Sequence, residues 1–170
     1  MDKPKGFSDR VEKWLAKIPG VRTYRDREHR RETDKKLREH LGSILQQSRT
    51  QLKKVAYDLS ARGDMKSLQG LDRLSSHIQQ AADSIRYASY GYSGIFDLEK
   101  IREDELDRLY AFDLSLAEDL DRIGKAVGEI GAADSPETRD QKIQEADRLV
   151  DSVEARFNER REYMSKAPSA

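Results

Sequence analysis

The chain contains no cysteine among its 170 residues. Disulfide frameworks, thiolate nucleophiles and cysteine-type zinc sites are therefore excluded. Proline is scarce: only Pro4, Pro19, Pro136 and Pro168 occur, so residues 20–135 carry no helix breaker of that kind. Aromatic residues are sparse at 7%. No apolar run approaches the ~18 residues of a membrane span. The opening MDKPKGFSDR lacks the apolar stretch of a secretory leader, so we expect a cytoplasmic protein. Net charge is also missing, because 32 Lys+Arg balance 32 Asp+Glu.

What is abundant is charge itself, at 38% of residues. Ala, Glu, Lys, Leu and Arg together make up nearly half the chain, the composition of long helices and coiled coils. The balanced total conceals a split. Residues 1–62 hold 17 basic and 9 acidic side chains, a net of +8, and residues 63–170 carry the opposite −8. Such a split implies either a polyanionic partner for the basic half or mutual neutralisation of the two halves.

Punctuation and period predict one domain of helices. A short helix is expected over 8–17, with Ser8 as cap, ended by Pro19-Gly20. The first long helix should run from Thr23 to about Arg62, where Gly63 supplies a left-handed stop. The second is expected over about 65–88 and the third over about 103–130. The fourth opens at Ser135-Pro136-Glu137, which supplies a cap, a proline in the first turn and an acid near the helix N-terminus. The expected divisions are an N-terminal helix and turn at 1–22, a bundle at 23–165 and a disordered tail at 166–170.

Apolar positions predict how these helices pair. Leu106, Leu109, Asp113, Leu116, Leu120, Ile123, Val127 and Ile130 advance in steps of three and four, as do Ile143, Ala146, Val150, Val153, Phe157, Arg160 and Met164. These are seams of left-handed bundle packing. Folding at the connector sets Ile130 against Ile143 and Leu116 against Phe157. The next layer then sets Asp113, the acid of one seam, against Arg160, the base of the other. We expect this structural ion pair to fix register rather than to act as a catalytic carboxylate, because a buried charge left unmatched is costly. The stripes Leu41–Leu59 and Leu68–Ile85 form a similar hairpin. The expected fold is thus all-α, an antiparallel four-helix bundle of two long hairpins with a short N-terminal helix.

Two stretches qualify as candidate binding surfaces. Residues 86–97 gather Tyr87, Tyr90, Tyr92 and Phe96 around Gly91 and Gly94. Tyrosines make large, rigid contacts with a polar tip, which suits protein docking. The same residues also suit a packed corner that plugs the bundle end. Residues 22–36 carry Arg22, Arg25, Arg27, Arg30, Arg31, Lys35 and Lys36. A basic helix can follow phosphates or an anionic lipid surface. Here Asp26–Arg30, Glu32–Lys36 and Asp34–Arg38 are acid-to-base pairs at i, i+4, which support a solvated helix instead. We expect residues 22–36 to lie beside the acidic stretch 97–107, so that the split neutralises itself.

Phosphate-loop and dinucleotide motifs do not occur. Gly91-Tyr92-Ser93-Gly94 is not a nucleophile elbow, since position 95 is Ile95. Asp26, His29 and Glu32 share one helix face, but the surrounding arginines repel a cation and no Glu-x-x-His pair exists. We therefore expect no metal, no cofactor and no enzymatic activity. Ile18-Pro19-Gly20 with its following Arg/Glu-rich helix, and Tyr90–Asp97 followed by Leu109–Asp113, resemble a group of uncharacterised small all-helical bacterial proteins. That resemblance covers about residues 18–130. It implies a bacterial, cytosolic setting and carries no site residues. The expected function is a scaffold or adaptor that binds a protein partner, or itself, through Tyr87, Tyr90, Gly91, Tyr92, Gly94 and Phe96 with Arg27, Arg30 and Arg31. The alternative is electrostatic binding of nucleic acid or an anionic membrane surface through residues 22–38.

Overall fold

The computed structural model describes residues 5–21, 30–88 and 102–166. Five helices follow in order: α1 (Lys5–Leu15), α2 (Arg30–Ala61), α3 (Leu68–Arg86), α4 (Glu103–Ala132) and α5 (Pro136–Lys166). The first helix starts before Ser8. The backbone is already helical from Lys5, which places Ser8 one turn inside. The expected start of α2 at Thr23 lies outside the described residues, as do positions 167–170. Lys166, assigned above to the tail, still belongs to α5.

The turns follow their local chemistry. Gly63 adopts φ +77, a conformation that costs a glycine little. Its N–H donates to the carbonyl of Ser60 at 3.0 Å, and the N–H of Asp64 donates to that of Leu59 at 2.9 Å. Those two bonds make a Schellman stop. At the other connector Ser135 Oγ accepts from the N–H of Thr138 at 3.1 Å, the cap expected for α5. Arg139, buried, holds the two connectors together by donating to Asp64 at 2.6 Å and to the carbonyl of Ala133 at 3.1 Å. Ser67 does not cap α3 but donates across to Asp140 at 2.8 Å.

The four long helices form a bundle in which α2 packs on α3 and α4, and α5 packs on α4 and α3. Side-chain contacts give the directions. Arg38 reaches the carbonyl of Arg86, Gln46 meets Gln79 and Arg49 meets Ser75, so α2 and α3 are antiparallel. Asp113–Arg160 and Glu129–Lys142 make α4 and α5 antiparallel. Gly124, Gly128 and Gly131 of α4 face Ser48, Gln51 and Val55, so α2 and α4 run the same way. Every apolar seam position predicted for α4 is buried, as are Ile143, Ala146, Val150, Val153 and Phe157 of α5. Leu41, Leu45, Leu52 and Leu59 of α2 meet Leu71, Leu74, Ile78 and Ile85 of α3 in the same core.

Helix α1 lies along the side of the bundle against α4. It buries Val11 and Leu15, followed by Ile18. Arg10 donates to Glu118 at 2.7 Å, and Trp14 meets the edge of His40 with centroids 6.5 Å apart. Lys36 donates to the carbonyl of Gly20 at 2.9 Å, so the turn after α1 leans on the first turns of α2. No described helix is long and apolar enough to cross a membrane.

Candidate functional site at the bundle end

One end of the bundle collects the start of α2, the end of α3, the start of α4 and the end of α5. Its centre is charged. Arg160 is 1% exposed. It donates through Nε to Asp113 Oδ1 at 2.5 Å, through Nη2 to Asp113 Oδ2 at 3.0 Å, and through Nη2 to Asp34 Oδ1 at 2.8 Å. The Asp113 pair is the one predicted from the seams, with the forked geometry at which guanidinium and carboxylate fit best. Asp34 is the unexpected member. Helices α2 and α5 do not adjoin, so Arg160 crosses the interior diagonally to reach it. Asp34 is itself held by Arg38 Nε at 3.0 Å, and Arg38 continues to the carbonyl of Arg86 at 2.7 Å. One chain of charge-assisted bonds therefore links all four long helices.

Burial pushes the Asp113 carboxyl above its ordinary range; the Arg160 guanidinium pulls it down, and neighbouring Asp34 adds to the rise. Arg156 sits one turn before Arg160. It pairs with Asp119, donates to Ser115 Oγ at 2.7 Å and stacks 5.2 Å from the Phe112 ring centre. Between α4 and α5 a cleft of about 360 Å3 opens, lined by Arg108, Leu109, Phe112, Glu159, Arg160 and Tyr163. Its walls are largely apolar, and Arg160 of the buried pair contributes to the lining.

Of the predicted partner-binding residues, Tyr87 ends α3 and is 77% exposed. Arg30 opens α2 and Arg31 is exposed. Tyr90, Gly91, Tyr92, Gly94, Phe96 and Arg27 lie outside the described residues, as does the expected contact between residues 22–29 and the acidic stretch. The flanks of both segments, Arg30 on one side and Ala88 and Arg102 on the other, belong to the same bundle end. Residues 30–36 do not form a free overhang. Thr33 and Asp34 are buried, and Lys36 is bonded to Glu32 at 2.5 Å. The deepest pairing between the two halves also runs against the charge split, since the acid, Asp34, comes from the basic half.

A second cluster lies on the flank between α3 and α5. His77 Nδ1 is 2.7 Å from Asp147 Oδ1, and Nε2 is 3.4 Å from Glu154 Oε2 and 3.6 Å from Asp151 Oδ1. Asp147, Asp151 and Glu154 fall at i, i+4 and i+7, on one helix face. Partial burial lowers the affinity of His77 for its proton, but hydrogen bonds to Asp147 and Glu154 outweigh it and the pKa is raised above 6.5. A raised folded-state value means the protonated pair stabilises the fold fully below pH 6.5, and that this contribution disappears as pH rises through the folded value. The partners are solvent-screened, so the effect is of order 1 kcal/mol or less. Denaturation midpoints from pH 5.5 to 8.5 should show this slope in the wild type and lose it in His77→Gln.

The chain matches no protein-family model, and comparison with curated proteins and with solved structures finds no significant similarity.

Proposed function

We propose that this chain is a non-enzymatic helical-bundle scaffold or adaptor that engages a protein partner at the charged bundle end. The observation that carries the reading is Tyr87, a large aromatic side chain left 77% exposed where α3 leaves the bundle. It stands at the rim of a platform stiffened by the Asp34–Arg160–Asp113 network, beside which the apolar cleft offers room for a partner side chain. Rigid aromatic anchors around such a pocket suit protein recognition. The charges nearest the end support the same reading, because Asp113 and Arg160 are held to each other in the interior rather than displayed to a substrate. Three basic residues near the start of α2 are answered nearby: Lys36 by Glu32, Lys35 by Glu39 and Arg38 by Asp34. That pairing weakens the claim of a phosphate-tracking helix.

The test is capture by immobilised wild-type protein, compared with Tyr87→Ala and Tyr163→Ala. We expect one protein partner to be retained by the wild type and lost from both variants, while helical content and melting midpoint stay unchanged. Salt-dependent retention of DNA, RNA or anionic vesicles, lost in Arg27→Gln/Arg30→Gln/Arg31→Gln and untouched by the tyrosine variants, would replace this reading with the electrostatic one.

A further inference from the structure

The flank cluster has the makings of a metal centre, independent of the bundle-end surface. Its four members come from two parallel helices. The three carboxylates of α5 surround a single imidazole, which α3 holds half-buried between the helices. With His77 neutral the group carries three negative charges and no basic partner among its own members.

The geometry is more specific than negative charge alone. The 2.7 Å contact to Asp147 occupies Nδ1, which becomes the protonated, donating nitrogen. Nε2 is then left with its lone pair facing Glu154 and Asp151. This is the carboxylate–histidine relay that orients imidazole ligands and raises their basicity at metal centres. The spacing fits as well. Metal–ligand bonds of about 2.0–2.1 Å in a tetrahedron place any two ligands about 3.3–3.4 Å apart. Nε2 stands 3.4 Å from Glu154 Oε2 and 3.6 Å from Asp151 Oδ1, and all three ligand atoms lie within 4.8 Å of one another. An exposed aspartate needs only a small rotation to complete the set.

We propose that His77, Asp151 and Glu154 bind a first-row divalent cation, with zinc the best fit, and that Asp147 is the positioning residue that orients His77. A nitrogen ligand with two carboxylates favours zinc over magnesium, which prefers an all-oxygen shell and keeps its waters. The fourth position is open to water. Because the ligands join α3 to α5, the bound ion acts as a clasp between the two hairpins.

The experiment is calorimetric titration of untagged, EDTA-stripped full-length protein with zinc chloride, paired with thermal melts with and without the metal. One zinc per chain should bind and raise the melting midpoint, and magnesium chloride at the same concentration should not. Asp147→Asn should weaken zinc binding about 10–100-fold. His77→Gln and Glu154→Gln should each weaken it at least as much and abolish the shift, while both variants melt in EDTA as helical proteins. Absence of a zinc-dependent shift in the wild type would overturn the proposal. So would a shift that survives His77→Gln, or one that magnesium reproduces equally.

Discussion

Arg160→Leu should lower the free energy of unfolding by about 3–5 kcal/mol, the usual cost of removing one partner from a buried ion pair. Asp113→Leu should cost distinctly less. The difference follows from what each change leaves behind. Without Arg160, Asp113 loses the two bonds it accepts from the guanidinium at the centre of the bundle, and Asp34 loses its diagonal partner. Without Asp113, Arg160 still holds Asp34 at 2.8 Å. The carboxylate removed is also one whose ionised form burial disfavours, since its proton affinity is already raised. Leucine at position 113 would extend the apolar seam formed by Leu109 and Leu116. Denaturant titration of the two single variants measures the gap. Equal losses would remove the argument that Arg160 is the hub.

Phe157→Ala should be of similar size, about 3–5 kcal/mol, for a different reason. The ring is 1% exposed and belongs to the apolar layer next to the ion pair. Truncation removes its transfer free energy and leaves a cavity that long, well-packed helices cannot close. A surface aromatic gives the contrast: Tyr57 is 74% exposed, and Tyr57→Ala should change stability by no more than about 0.5 kcal/mol. The Phe157 ring centre lies 5.9 Å from the Arg160 guanidinium carbon. Phe157→Ala and Arg160→Leu therefore share surroundings, and their losses should not add. Guanidinium denaturation followed by circular dichroism reads all three.

Residue pattern carried the bundle because its signals are local. Steps of three and four along α4 and α5, Gly63 at one connector and Ser135-Pro136 at the other set helix faces, lengths and hairpin register. That register alone sets Asp113 opposite Arg160. The sequence spacing makes Asp34 one half of an i, i+4 pair with Arg38, and that pair is present. Its second role, across the bundle to Arg160, depends on how one hairpin docks on the other, which no local period encodes. The His77 cluster was hidden for the same reason. Asp147, Asp151 and Glu154 share a face of α5, but nothing in that helix says that α3 will set a histidine against them. Buried Arg139, joining the two connectors through Asp64 and Ala133, is a third case of a contact set by hairpin docking. The start of α1 at Lys5 differs from the expected Ser8 on more ordinary grounds, since a serine preceding an apolar face can lie inside a helix as well as cap it.

The most direct measurement is a double-mutant cycle on the central pair: wild type, Asp113→Leu, Arg160→Leu and the double variant, each unfolded in denaturant. If Arg160 is the buried hub, the double variant is more stable than Arg160→Leu alone. Asp113 then no longer needs a counter-charge, and Asp34 keeps its bond to Arg38. If the two single losses simply add in the double variant, the buried network is not what holds this end of the bundle together.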